Sequence, residues 1–315
     1  MLKSLGISII TTILCLTACS GPRLGAVVER SAFAGGGKEV TGLTYVRSVR
    51  VEFPRAGGPS KPSCVLATPG GELVVVDGET GRAGRFELDG RFVSYLEAPG
   101  AFSPSAAALG PGLSIYLLDS FGGDICRYDA TGQLAGRVSV REESSRLIDI
   151  CFDKAGTAYV TDREEDVVHV LHGDAWAESG LGGFGAGPGM LIDPGGVDVD
   201  AQDRIYVCDA GNSRVQVLDQ WGGVLGVWPV NGDDCEARPG DVAVDRWGNA
   251  FVTDTGCSCL RVLNASGVET FRLEGDGPGL RFTESPGGID VVDGRLYVAD
   301  SIAAAIQVFD IRYEI

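Results

Sequence analysis

Six short apolar runs in this chain each end in an aspartate: LVVVD at Asp77, IYLLD at Asp119, AYVTD at Asp162, IYVCD at Asp209, AFVTD at Asp254 and LYVAD at Asp300. The intervals between those aspartates are 42, 43, 47, 45 and 46 residues. Such regularity marks one structural unit repeated along the chain. Each interval is too short for a strand-helix-strand unit with insertions, and no stretch after residue 20 carries a sustained helical period with caps.

The fourth unit shows the internal pattern. Gly195 to Val199, Arg204 to Cys208, Val215 to Leu218 and Val224 to Trp228 are apolar runs separated by DAQD, DAGNS and DQWGG. Runs of this length, rich in Val, Ile and Tyr and bounded by Gly, Asp and Asn, read as four strands of a meander. A lone four-stranded sheet cannot bury both faces, so the units must stack on one another. Six such sheets close into a disc around an axial channel, an all-β six-bladed propeller of four-stranded antiparallel blades. The sixth unit runs out of chain soon after its third strand, Ile306 to Asp310. The alternating stretch Leu43 to Phe53 is expected to supply its outer strand, joining the chain ends and covering an open edge. The closing IRYEI either extends the third strand or competes for that edge.

The amino end carries a second signal. Lys3 precedes an apolar stretch from Leu5 to Ala18, shorter than the roughly 20 residues a permanent spanning helix needs. It ends in small residues, as a cleaved export signal does. Leu16-Thr17-Ala18-Cys19 resembles the lipobox of bacterial lipoproteins. That resemblance implies a signal peptide over 1–18 and a diacylglyceryl group on Cys19, the first mature residue. A flexible tether over 19–37 and the propeller over 38–315 follow. Ser20 after the cysteine favours the outer membrane of a bacterial envelope by the same resemblance. An ordinary secretory signal or an uncleaved anchor is the competing reading. With 26 Lys and Arg against 43 Asp and Glu, a net charge of −17, the surface repels nucleic acid. Cations, cationic proteins and neutral ligands are left as partners.

The spelling of the repeat narrows the family. The segment LGGFGAGPGMLIDPGGVDVDAQDRIYVCDAGNSRVQVLDQWG resembles the NHL repeat of six-bladed propellers at Gly185, Pro194, Gly196, Asp200, Tyr206, Val207, Asp209, Asn212, Arg214 and Val217. PGDVAVDRWGNAFVTDTG and PGGIDVVDGRLYVADS repeat much of it, while the first three units keep the strand pattern and the marker aspartate.

Two sets of aspartates are candidate functional residues. The markers Asp77, Asp119, Asp162, Asp209, Asp254 and Asp300 either ring a channel mouth around a cation or accept hydrogen bonds from the turn that follows each, the role Asp takes at tight turns. Asp149, Asp198, Asp241 and Asp290 lie on four first strands near the axis and form a candidate channel-binding set, with a divalent cation as its candidate ligand. Gly180, Gly182 and Gly185 fit a dinucleotide-binding glycine pattern, but no helix follows them. Asp198, Asp200 and Asp203 resemble half of a calcium loop without its Gly and terminal Glu.

Beyond Cys15 and Cys19 the cysteines are Cys64, Cys126, Cys151, Cys208, Cys235, Cys257 and Cys259, an odd number that leaves a thiol unpaired in an oxidising compartment. Cys235 sits in the loop entering blade five, and Cys257 and Cys259 sit in that blade's second turn on the same face of the disc. A disulfide from Cys235 to Cys257 or Cys259 is expected. A zinc site of these three with Cys208 is the alternative, without the paired spacing of closed zinc modules.

Among enzymes on related propellers, the amidating lyases hold a metal through several histidines. This chain has His169 and His172 alone, on one strand with opposite facing. Gluconolactonase-type enzymes use carboxylates and amides around a divalent ion, and the first-strand aspartates match that set without a recognisable base or nucleophile. The expected function is a lipid-anchored envelope platform that binds a protein or ligand, with no resident cofactor and no catalysis. Its partners would be the membrane, through the lipid on Cys19, and an envelope protein. The alternative is a metal-dependent hydrolase or lyase in the channel.

Overall fold

In blade four the apolar runs form strands at Pro194–Val199, Ile205–Asp209, Arg214–Leu218 and Val224–Pro229, paired in that order. The computed structural model describes residues 38–54, 60–100, 102–119, 123–139, 145–232, 234–274 and 286–314. Six antiparallel sheets recur along it, each running from an inner strand at the axis to an outer one. The expected signal peptide over 1–18, Cys19 and the expected tether over 19–37 lie outside the described residues.

Every second strand is apolar on both faces because each blade is covered by a neighbour on either side. Ile205–Asp209 and Ala250–Asp254 are buried at every position. The core is accordingly divided into six apolar clusters, one at each joint between blades. At the joint of blades four and five, Tyr206, Val215 and Trp228 pack on Val242, Ala250 and Val252.

The disc closes through its ends. Val40–Arg50 is the outer strand of the last sheet and pairs antiparallel with Ala305–Tyr313, setting Val49 opposite Ile306 and Tyr45 opposite Phe309. The strand starts and stops three residues earlier than the alternating stretch suggests, yet Val51 and Phe53 remain buried against Phe86 of blade one. The tail extends the third strand through Tyr313. Blade three departs from the common plan, its outer edge being two fragments, Ala175–Trp176 and Leu181–Gly182, that both pair with Val167–His172.

First strands begin, and second strands end, on one side of the disc. Pro194 opposite Asp209 and Pro239 opposite Asp254 show the alignment. That side, carrying the entry loops and second turns, is called the entry face below.

Candidate channel site

The inner strands present two levels of side chain to the axis, distinguished by their register with the second strand. At the upper level, one residue below the marker, stand Asp149 and Asp241. Asp241 is opposite Thr253, whose Oγ1 accepts the Asp241 backbone N–H at 2.9 Å, and Thr161 does the same for Asp149 at 3.2 Å. At the lower level stand Asp198, opposite Tyr206, and Asp290, opposite Tyr297. The four candidate aspartates thus alternate in height around blades three to six.

Each carboxyl group reaches across to the next blade. Asp149 Oδ2 accepts the backbone N–H of Val197 at 2.9 Å, Asp198 Oδ2 that of Val244 at 2.7 Å, Asp241 Oδ2 that of Ile289 at 2.9 Å and Asp290 Oδ2 that of Ala67 at 2.7 Å. The second oxygen of Asp198 and of Asp241 accepts the following amide of its own strand, from Val199 and Val242, each at 2.8 Å. Inner-strand amides facing a channel have no ladder partner on that side, and these carboxyls satisfy them. In blade one Cys64 holds the upper position and takes the same bond from Ala107 of blade two. Blade two has alanines at both levels, Ala106 and Ala108, which offer no channel carboxyl to blade three.

The Asp149 and Asp241 carboxyls also act on each other across the axis. Gly196 of the intervening blade makes room for this, since a Cβ there would collide with the Asp241 carboxyl. The four residues are half-buried, with protein surrounding their carboxyl groups. Burial pushes Asp149 and Asp290 up to about 6 and Asp198 up to about 8, against the pull of the amide bonds. Burial and then the Asp149 charge raise Asp241 well above the usual carboxylate range. Two neighbouring carboxyls cannot both ionise cheaply, so they titrate as a pair. Burial, followed by the same carboxylates, also raises the Cys64 and Cys151 thiols, which makes them poor nucleophiles.

The pair divides the channel. A cavity of about 250 Å³ opens above it, lined by Ser105, Arg163, Thr253 and Thr255, and one of about 170 Å³ lies below, lined by Cys151, Asp198 and Asp290. Cys64, Asp149 and Asp241 border both. Among the described residues no three channel carboxyls bring their oxygens within 4.8 Å of one another, and each group is bound to backbone amides. The set is suited to joining blades.

A profile of the NHL repeat matches residues 191–218, the heart of blade four. The chain is a six-bladed propeller that carries an NHL repeat in blade four. NHL repeat-containing protein 3 of Mus musculus is 29% identical over 139 residues, 39% of this chain and 38% of that protein, so the chain spans under two fifths of that relative's length. Solved structures share the fold at low identity. A virginiamycin B lyase from Staphylococcus aureus superposes with a TM-score of 0.65 at 14% identity, covering 87% of this chain and 94% of that one. A gluconolactonase from Xanthomonas campestris gives 0.62 at 15%, covering 87% and 99%.

The repeat spelling of blade four has a local purpose. Arg214 pairs with Asp209 at 2.6 Å and donates to the carbonyls of Gly187 and Met190, each at 2.8 Å. Asn212 donates to both Asp209 oxygens at 2.9 Å and to the Gly185 carbonyl at 3.1 Å. The entry loop is thereby pinned to the second turn. Asp200 accepts the Tyr206 hydroxyl at 3.0 Å and the backbone N–H groups of Gln202 and Arg204, a turn-capping role that uses the oxygens a calcium loop would need.

The marker aspartates are all buried. Asp77 Oδ1 accepts the amides of Glu79 and Thr80, Asp162 those of Glu164 and Glu165, Asp254 those of Gly256 and Cys257, and Asp300 those of Ile302 and Ala303, at 2.9 to 3.2 Å. Asp119 is equally buried at the end of its strand. They are therefore placed at the second turns and away from the axial set. Cys235 and Cys257 form a disulfide, while Cys259 and Cys208 are separate buried thiols. With two of the sulfurs joined, the four-sulfur zinc arrangement does not occur. Sequence reading did not single out Cys64 as a stand-in for a channel carboxyl. A usable signal existed for the upper level, because its two aspartates occur in the two units whose marker run ends Thr-Asp, AYVTD and AFVTD.

Proposed function

We propose that this NHL-repeat propeller is a lipid-anchored platform of the bacterial envelope that binds a protein or ligand on its entry face and performs no catalysis of its own. The observation that carries the reading is the commitment of the four channel carboxyls to amides of successive blades, which leaves a stiffened ring in place of a converging reactive set. The entry face is built as a contact surface. Phe184 and Met190 of the entry loop of blade four are exposed, at 71% and 42%. Asp193 ties that loop to Arg163 of blade three at 2.6 Å and to Arg238 of blade five.

The start of the propeller supports the orientation. Lys38 and Glu39 lie against blade five on the side opposite the entry face, where the Lys38 carbonyl accepts Asn249 Nδ2 at 2.9 Å and Glu39 accepts Asn264 Nδ2 at 2.7 Å. A lipid on Cys19 would hold that side toward the outer membrane and leave the entry face free.

The second reading is a hydrolase or lyase, favoured by the jointly titrating Asp149–Asp241 pair at the floor of a cavity open to the entry face. A divalent ion there would require the carboxyls to release their amides. The lipidated chain carrying a photo-crosslinking side chain at Thr255 or at Ser266 distinguishes the two. A defined adduct from Thr255 and none from Ser266, in protein without stoichiometric divalent metal bound in the channel, is the expected result. A stoichiometric ion lost in Asp198→Asn would move the assignment to channel chemistry.

A further inference from the structure

In blades three to six the strand residue seven places after the marker aspartate faces that aspartate, and its identity changes from blade to blade. In blades four, five and six it is Gln216, Arg261 and Gln307, which donate to Oδ2 of Asp209, Asp254 and Asp300 at 3.0, 2.8 and 3.1 Å. Amide and guanidinium nitrogens have no lone pair to offer a metal. Blade three places His169 there, with Nε2 3.2 Å from Asp162 Oδ2.

The residue three places after the marker changes with it. Asn212 of blade four donates to Asp209. Its counterpart in blade three is Glu165, whose Oε2 lies 3.8 Å from His169 Nε2. Blade three has thus exchanged two donors for an acceptor and an imidazole around a fully buried carboxylate. One ligand atom from each of Asp162, Glu165 and His169 lies within 4.8 Å of the others. Asp162 Oδ1 is occupied by the amides of Arg146, Glu164 and Glu165 at 3.1, 2.9 and 3.2 Å, which orients Oδ2 toward the imidazole.

We infer that Asp162, Glu165 and His169 form a divalent transition-metal site of the zinc type on the second turn of blade three. Ligand atoms about 2 Å from a common tetrahedral ion stand about 3.3 Å apart. The Asp162–His169 separation already matches that spacing, and the Glu165 side chain, 32% exposed, closes the remainder. Three protein ligands leave the fourth position to water. The ion supplies the positive charge that Arg214 and Arg261 bring to the markers of blades four and five. Trp176 packs edge-on against His169 with ring centroids 5.7 Å apart and donates to the Ser139 carbonyl at 3.1 Å, fixing one side of the imidazole.

The test uses the full chain stripped with chelator and titrated with zinc chloride by calorimetry, with thermal unfolding in parallel. His169→Gln recreates the pairing of blades four and six, so it should fold and melt as the parent does without metal. Expected are one equivalent of zinc bound by the parent, a rise in its melting temperature, and at least a tenfold loss of affinity in His169→Gln and in Glu165→Asn. His172→Ala, which changes the exposed histidine of the same strand, should bind as the parent does. Zinc uptake undiminished in His169→Gln, uptake lost in His172→Ala instead, or no uptake by the parent would each overturn the assignment.

Discussion

Asp290 Oδ2 lies 2.7 Å from the backbone nitrogen of Ala67, a residue 223 positions earlier in the chain. This bond joins the last inner strand to the first, at the joint where the N-terminal strand also completes the last blade. The axis and the rim of the propeller are therefore closed at the same joint by different means. A buried amide left without its acceptor costs more than the net worth of the bond it loses.

Asp290→Asn should destabilise the protein by about 1–3 kcal/mol, because an amide side chain has one acceptor oxygen and turns its own donors toward a backbone N–H. Urea unfolding checks this. An unchanged midpoint would show that the joint does not depend on the carboxyl.

The channel carboxyls give stability an unusual pH dependence. Their folded values lie above the unfolded value near 4. The native state therefore keeps protons that the unfolded chain releases. Their contribution is complete below roughly pH 4 and is lost as pH rises through about 6 for Asp149 and Asp290 and about 8 for Asp198. Asp124 and Asp162 have the opposite sign. Partner hydrogen bonds outweigh burial and hold them below the ordinary value, so their contribution disappears under stronger acid. The unfolding midpoint in urea should fall between pH 5 and pH 8, and Asp198→Asn should flatten that fall. A midpoint that rises over this interval would contradict the assignment.

Removing residues 43 to 53 takes away most of the closing strand together with Val51 and Phe53, which pack on blade one. The open edge at Ala305–Tyr313 would then present unpaired backbone to other molecules. Aggregation on size-exclusion chromatography is the expected outcome. A monomeric truncation that unfolds cooperatively would refute closure as the source of solubility.

The Cys235–Cys257 bridge closes a loop with a sequence separation of 22. Loop-closure entropy puts its contribution at about 3 kcal/mol. Reductant should lower the melting temperature of the parent and leave Cys235→Ser/Cys257→Ser unmoved. In the native protein, Cys64, Cys126, Cys151, Cys208 and Cys259 should resist thiol labelling until the chain unfolds, since all five are buried.

The channel set was legible as four aspartates on first strands and no further. Period and hydropathy locate Asp149 and Asp198 on equivalent strands, but the irregular register between Leu147 and Ile150 and between Pro194 and Val197 sets their heights. That offset decides whether a carboxyl faces Val197 N–H or meets a partner across the axis. The same holds for the cysteines. Shared placement on one face brings Cys235 near both Cys257 and Cys259, and strand pairing decides between them, because Cys259 is drawn into the sheet opposite Asp254.

The chain by itself determines the number of blades, their strand order and the closure by the N-terminal strand. A repeat of near-constant length with alternating apolar runs admits few other ways to bury both faces of six small sheets. Tertiary structure alone decides what the channel and the turns hold. The pairing of Asp149 with Asp241, the substitution of Cys64 for a carboxyl and the grouping of Asp162, Glu165 and His169 depend on ångström-scale offsets between strands. Sequence spacing does not encode such offsets, because side-chain direction in a strand reverses with every residue and each irregularity in pairing resets it.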